Sequence, residues 1–305
     1  MLDTIVRPFG ELHWGTTTFV DTIDARVGGS AANTARALGI LNRPVRLAAV
    51  LGRDHAGDTI RGELARCNVD TSAIETADEP SAQTIVLVNA NGDRQFLHRK
   101  GSSAIAFRDG FGFAPEQISG MAHFHVAGLY VVPHLRLHAA SILRDAHTHG
   151  LTTSIDTSWD PEREWMKVLE PCLAHLDVLF MNEDEAAQLA GGGSIEALAS
   201  TALRQGTGMV VIKQSRHGCR IYTPSHQTTC PAYRVDVCDT TGAGDCFVAG
   251  FLTAFLDGAP PERAGLFGNA TGALSVQQIG AVEGLLSRTE QEAWMVRTPL
   301  RAHVP

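Results

Sequence analysis

The residues of this chain best suited to do chemistry lie in the stretch DTTGAGDCFVAG, Asp239 to Gly250. Gly242 and Gly244 can adopt backbone angles closed to other residues, which lets the amides of Gly242, Ala243 and Gly244 converge on one point. The apolar segment Cys246 to Leu256 that follows repeats Phe247, Phe251 and Phe255 along one helix face, and the run Tyr233 to Val237 that precedes reads as a strand. Strand, tight loop and helix are the expected order. A helix that opens this way offers unsatisfied N–H groups and the positive end of its dipole, and both attract anions. Asp245 stands in the same loop. A carboxylate beside a phosphate-sized anion hole suits a base that takes a proton from a hydroxyl attacking phosphorus. It also suits a first-turn acid that merely complements the dipole, with the glycines making only a turn.

Other residues fall into two kinds of pattern. Asn182 and Glu185 stand three apart at the start of a helical stretch. That spacing fits a helix cap with its reciprocal partner, and equally an acidic rim whose oxygens would suit the waters of Mg²⁺. Gly28 and Gly29 precede a second helical stretch, Ala31 to Leu41, but the G-x-G-x-x-G dinucleotide fingerprint is absent. Lys213 ends an apolar run, where it either meets a phosphate or snorkels into solvent. His123 and His125 share a strand face, a pairing that suits a metal or, more simply, ordinary packing. Neither H-E-x-x-H nor a nucleophile elbow occurs.

The elements that must position these residues follow from periodicity. From His123 onward short apolar runs alternate with helical stretches through HFHVAGLY, LTTSID, DVLFMN and MVVIK. Such alternation implies a parallel sheet with helices on both faces and ligands beyond the carboxyl ends of the strands. Gly128, Asp156, Asn182 and the loop from Asp239 to Asp245 are thereby nominated as rim residues. Thr84 to Val88 and Arg94 to His98 flank Asn91-Gly92, a strong hairpin signal. With the β-rich segment from Thr16 to Val27, this hairpin is expected to form a small sheet lying over the glycine-rich site as a lid.

Composition bounds the alternatives. The chain has 305 residues, 44% of them apolar, and a formal net charge of -8 with the two signs interspersed. There is no basic stripe of the kind a nucleic-acid binder needs, so a small-molecule partner is expected. Its 6 cysteines include no C-x-x-C pair, which argues against a zinc ribbon or a disulfide framework and fits a reducing cytoplasm. Neither a membrane-spanning apolar run nor a signal peptide is apparent.

These motifs together resemble the ribokinase-like, or PfkB, family of carbohydrate and nucleoside kinases over essentially the whole length. The family's D-T-x-G-A-G-D signature is matched by Asp239, Thr240, Gly242, Ala243, Gly244 and Asp245. Gly28, Gly29 and Asn33, then G-x-D-x-x-G at Gly52, Asp54 and Gly57, match its amino-terminal signature, and Asn182 and Glu185 match N-x-x-E. The resemblance implies a single ribokinase-like domain over residues 1–305, a three-layer αβα sandwich with a mostly parallel central sheet and a β lid from about 6–27 and 83–100. It implies ATP-dependent phosphorylation of a sugar or sugar acid, with Asp245 as base and the amides of Gly242, Ala243 and Gly244 holding the transferred group's charge. Asn182 and Glu185 would organise Mg²⁺ through its waters. Asp3, Gly29 and Asn33 would bind substrate hydroxyls, and Arg99 a substrate carboxylate or phosphate. Lys213, Gly218 and Asn269 fall on the nucleotide side. K⁺ would lie against carbonyls of the segments from Asp239 to Thr241 and from Ala273 to Gly280, and the lid would form a homodimer interface. A nucleoside kinase of the same fold, or a catalytically silent nucleotide or sugar sensor, are the competing readings. In the family a buried strand normally precedes the acid matched by Asp3, so a further core strand upstream of Met1 is also expected.

Overall fold

Two sheets of different character organise the computed structural model, which describes residues 1–10, 13–91, 94–114 and 118–301. The amino-terminal part consists of β1 (Leu2–Arg7), β2 (Thr22–Val27), α1 (Ser30–Ile40), β3 (Val45–Arg46), β4 (Ala49–Gly52), α2 (His55–Arg66), β5 (Val69–Asp70), β6 (Ile74–Ala77), β7 (Gln83–Val88) and β8 (Arg94–Arg99). The carboxy-terminal part continues with β9 (His123–Ala127), α3 (Pro133–Thr148), β10 (Thr152–Asp156), α4 (Met166–Leu169), β11 (Val178–Asn182), α5 (Glu183–Leu189), α6 (Ile195–Arg204) and β12 (Met209–Lys213). It ends with β13 (Cys219–Tyr222), β14 (Gln227–Cys230), α7 (Ala243–Phe255), α8 (Pro261–Ser275) and α9 (Arg288–Arg297).

The larger sheet has six strands in the order β14-β13-β12-β11-β10-β9. Its β9 to β12 pairs are parallel, and β13 and β14 return antiparallel. Parallel strands buried on both faces read as continuous apolar runs, and Val178 to Met181 are all fully buried. Alternate residues serve opposite layers. Leu179, Met181, Val210 and Ile212 pack with Leu143 of α3 and Ala199 of α6, while Phe180 and Val211 pack with Leu38 of α1 and with Val248 and Phe251 of α7. The three-layer αβα arrangement thus follows from residues one apart pointing to different helices.

The small sheet, ordered β2-β1-β7-β8, is separate and forms the lid. Its β7 and β8 are the antiparallel hairpin expected from Asn91-Gly92, although Gly92 itself lies outside the described residues. The lid reaches further toward the amino terminus than the sequence suggests, because β1 begins at Leu2 and carries Asp3. The segment from Tyr233 to Val237 is not a strand. Tyr233 makes only an isolated bridge with Leu300, and Arg234 N–H donates to the Pro299 carbonyl at 2.9 Å. Its first residues, Tyr233 and Arg234, therefore meet the chain's carboxy-terminal segment, and the run adds no strand to the main sheet. No described helix is long and apolar enough to cross a membrane.

Candidate active site

The loop before α7 is built as its glycines require. Gly242 caps α7 in the left-handed region with φ 72°, and a Cβ there would lie 2.6 Å from that of Ala281. A Cβ on Gly244 would stand 3.3 Å from Lys213 Nζ, so the lysine ammonium approaches the loop backbone directly. Asp245 occupies the first turn of α7. Asn33 Nδ2 donates to its Oδ2 at 2.8 Å, and Thr34 Oγ1 donates to its backbone carbonyl at 3.4 Å. Withdrawal from water pushes the Asp245 pKa up to about 6, against the opposing pull of Asn33 and Lys213. A carboxylate placed there is ionised at neutral pH yet basic enough to accept a proton.

Lys213, at the end of β12, forms an ion pair of 2.5 Å with Asp156, at the end of β10. Burial raises the Asp156 pKa, Lys213 opposes that shift, and the charges of Glu185 and Asp245 add to it. Three carboxylates and one ammonium thus share the rim of the sheet, as expected where parallel strands end together.

Asn182 and Glu185 make the reciprocal cap. Glu185 N–H donates to Asn182 Oδ1 at 2.8 Å, and Asn182 N–H donates to Glu185 Oε2 at 3.1 Å. Thr157 Oγ1 donates to the same carboxylate oxygen at 2.8 Å. The capping geometry leaves the motif at the rim, so capping and a place beside the cluster are compatible. Among the described residues no cluster of three or more His, Cys, Asp or Glu side chains is arranged to hold a metal by itself. His123 and His125 both bond Ser154 Oγ at 2.7 Å, and burial pushes His125 down to about 3, so both are neutral packing residues.

The small sheet and α1 bring a second group of polar side chains together near Asp245. Strand register sets Asp3, Thr84 and His98 side by side across β1, β7 and β8. Thr84 Oγ1 and His98 Nδ1 are 3.0 Å apart, and burial raises the Asp3 pKa. A Cβ on Gly28 would lie 1.9 Å from Asp3 Oδ2, so only glycine admits this carboxylate. Gly29 opens α1 with φ 96°. Asp3 Oδ1 and Asn33 Oδ1 are buried without hydrogen-bond partners. Thr84 and His98 were not apparent from sequence, because only the register of the hairpin against β1 brings them to Asp3.

The remaining nominated residues take more structural places. Asp239 accepts from Thr241 N–H at 3.0 Å and from Gly280 N–H at 3.1 Å, which ties the loop to the turn after α8. From the lid, Arg94 donates to Asp239 Oδ1 and to Thr241 Oγ1, each at 2.9 Å, a contact that sequence reasoning missed. Asn269 Nδ2 donates to the Cys230 and Pro231 carbonyls at 2.9 and 3.1 Å and so fixes the end of β14. Gly218, with φ 92°, makes the tight turn into β13, where a Cβ would meet the Cys230 carbonyl at 2.0 Å. Arg99 donates to the Ser81 carbonyl at 3.1 Å. Asp54 caps α2 through Gly57 N–H at 2.8 Å and accepts from Ser81 N–H at 2.9 Å, so the Gly52, Asp54 and Gly57 motif holds backbone in place.

An α/β sandwich with a glycine-rich loop opening a helix, a buried carboxylate of raised pKa in that helix's first turn and a separate small sheet is an architecture suited to a small-molecule phosphotransferase. The pfkB family carbohydrate kinase model matches residues 10–288, and the chain belongs to that family as a carbohydrate kinase. It is 30% identical over 285 residues to the ATP-dependent ribose-1-phosphate kinase of Halopiger xanaduensis, covering 89% of this chain and 92% of that protein. It is 26% identical over 297 residues to the 2-dehydro-3-deoxygluconokinase of Bacillus subtilis, covering 94% and 90% respectively. Arabidopsis thaliana ribokinase, solved with ribose and ATP, superposes with a TM-score of 0.82 at 21% identity, covering 96% of this chain and 95% of that one.

Proposed function

We propose that this chain transfers the γ-phosphoryl group of ATP to a hydroxyl of a sugar or sugar acid, with Asp245 as the base. The observation that carries this reading is the pair of orphaned oxygens, Asp3 Oδ1 and Asn33 Oδ1. Because the Asp245 carboxylate only accepts, Asn33 must turn Nδ2 toward it and Oδ1 away. Both orphans therefore want O–H or N–H donors, and a buried acceptor left unpaired costs about 1–3 kcal/mol. A polyhydroxylated substrate supplies such donors, with one further hydroxyl directed at Asp245.

The amides of Gly242, Ala243 and Gly244, with Lys213 beside them, suit the phosphoryl group's negative charge. Mg²⁺ fits the rim: Asp156, Glu185 and Asp245 repel one another there, and a cation relieves that repulsion. Asn182 and Glu185 would hold its waters, and the ion would neutralise charge on the phosphates. Lys213, Gly218 and Asn269 line up with the nucleotide side in this reading, and Arg99 with an acidic group of the substrate. The K⁺ expectation is supported by the close approach of the two segments, where Asp239 accepts from Gly280 N–H at 3.1 Å and Cys238 N–H donates to the Val276 carbonyl at 2.7 Å. A homodimer through the lid is supported by the exposed apolar residues on its strands, where register pairs Ile85 with Leu97 and Ile23 of β2 is exposed as well.

A thermal-shift screen of sugars, sugar acids and nucleosides with a non-hydrolysable ATP analogue, followed by a coupled kinase assay on the hits with and without K⁺, tests this proposal. Stabilisation and turnover with a sugar or sugar acid are expected. Turnover confined to nucleosides would assign the alternative substrate class, and binding without turnover would make the protein a sensor.

A further inference from the structure

The acceptor side and the base side of the site stand on different elements. Asp3 belongs to β1 of the small sheet, whereas Asp245 belongs to α7, which packs against the main sheet. Their relative position sets how a bound hydroxyl meets the carboxylate, and a misplacement of about 1 Å is enough to cost about a hundredfold in rate. Whatever fixes the small sheet against the loop before α7 therefore bears on the reaction. That loop leans on the turn from Ile279 to Glu283. Gly280 N–H donates to Asp239 Oδ2 at 3.1 Å, Cys246 Sγ donates to the Ala281 carbonyl at 3.1 Å, and Ala281 is the residue that a Cβ on Gly242 would strike.

The small sheet grips both halves of this junction, one from each of its edge strands, β8 and β2. From β8, Arg94 reaches Asp239 and Thr241. From β2, Arg26 donates to the Ile279 carbonyl at 3.1 Å and pairs with Glu283 Oε1 at 3.7 Å. Arg26 is also the register partner of Asp3, so the strand pair that carries the acceptor contact carries this tether too. Arg36 of α1, nearly buried, pairs with the same Glu283 oxygen at 3.6 Å and donates to the Val27 carbonyl, at the end of β2, at 3.3 Å. The other oxygen, Glu283 Oε2, accepts from Val282 N–H at 2.8 Å and lies so close over Gly280 that no Cβ fits there. One oxygen of Glu283 is thus held by its own turn and the other by the small sheet and α1. Among the described residues Arg26 and Arg36 pair with no other carboxylate. Without Glu283 the two guanidinium groups would face each other with no counter-charge.

We propose that Glu283 is a positioning residue: through Arg26 and Arg36 it sets the small sheet, and the acceptor bound on it, against the loop that carries Asp245. The proposal rests on the reading of Asp3 as an acceptor contact and of Asp245 as the base. Glu283 touches neither reacting group. It acts through the turn beneath Gly242 on one side and through β2 on the other, and Arg26 is its counterpart on the small sheet. Its charge is needed because two guanidinium groups converge on a single oxygen.

The test takes Arg26→Gln, Glu283→Gln and the double variant, with Arg26→Lys as the conservative form. The Arg26 side chain is partly exposed, so its variants are expected to fold even if loss of Glu283, which leaves Arg36 uncompensated, prevents folding. kcat and the KM values for ATP and for the sugar or sugar acid are measured, and hydrogen–deuterium exchange is followed in the unliganded protein at 22–27 and 239–246. Each single variant is expected to lose about tenfold in kcat while KM for ATP stays within about twofold. The double variant should be no slower than the slower single one, and Arg26→Lys should recover most of the rate. Exchange in Arg26→Gln should rise about threefold or more at both segments, although the substitution lies in the first. Unchanged kinetics with only a lower Tm, or losses that add in the double variant, would overturn the proposal. If no acceptor is turned over, the reading of Asp245 fails by itself. Exchange rising at both segments would then still support the link through Glu283, and a rise confined to 22–27 would overturn it.

Discussion

Asn33 and Asp245 are 212 residues apart in the chain and are joined by a hydrogen bond of 2.8 Å. That bond links the first turn of α1 to the first turn of α7 and sets the orphaned Asn33 oxygen beside the proposed base. Replacing Asp245 by Asn keeps the shape and removes the basicity. Asp245→Asn is expected to lower kcat by about 10²–10⁴-fold while ligand-induced thermal stabilisation persists. Near-normal turnover in the coupled assay would exclude Asp245 as base.

With Asp245 as the proposed base, its raised pKa of about 6 is expected to set the acid limb of activity. The base works ionised, so kcat/KM should fall as pH drops through about 6 and be flat above it until another group titrates. Stability moves the other way. A carboxylate whose folded pKa lies above its ordinary 3.8 binds more protons folded than unfolded, so this group's contribution is full below 3.8 and is lost as pH rises through about 6. A pH–rate profile set beside Tm measured across pH 4 to 7, with Asp245→Asn as the reference, separates the two effects. An acid limb near pH 4 would contradict the assignment.

Glu185→Gln distinguishes the cap from the cation. Glutamine can complete a capping box as glutamate does, so Tm should change little. The lost charge should raise the Mg²⁺ concentration needed for half-maximal rate by about tenfold or more. An unchanged Mg²⁺ titration would leave Glu185 with only its bonds to Asn182 and Thr157.

Arg94 ties the lid to Asp239 and Thr241 across a partly exposed surface. Exposed pairs of this kind contribute about 0.2–1 kcal/mol, so Arg94→Ala should leave Tm nearly unchanged. Its effect should appear in function, with KM for the acceptor substrate rising severalfold as the closed lid loses its tether. Equal KM values for the two proteins would show that the contact does not govern closure.

Gly242→Ala tests the geometry of the loop before α7 itself. The left-handed backbone costs a residue with a Cβ about 1–2 kcal/mol, and the new methyl would collide with Ala281 at 2.6 Å. A clear drop in Tm together with loss of turnover is expected. Unchanged stability would mean that the loop can shift without penalty.

Much of this site was legible in the sequence, because its chemistry is carried by local patterns. Glycines around Asp245, Asn182 three before Glu185, and short apolar runs between helical stretches each report on neighbours in the chain, and periodicity and capping are local physics. The tertiary structure decided what depends on pairing between distant segments. It placed Thr84 and His98 beside Asp3 through strand register, brought Arg94 to Asp239, and turned Gly52, Asp54 and Gly57 into a backbone brace. It also set Tyr233 and Arg234, the start of the β-forming run after Ala232, against the chain's last segment instead of the sheet. Propensity says that a residue can extend, and only the packed fold says which edge receives it.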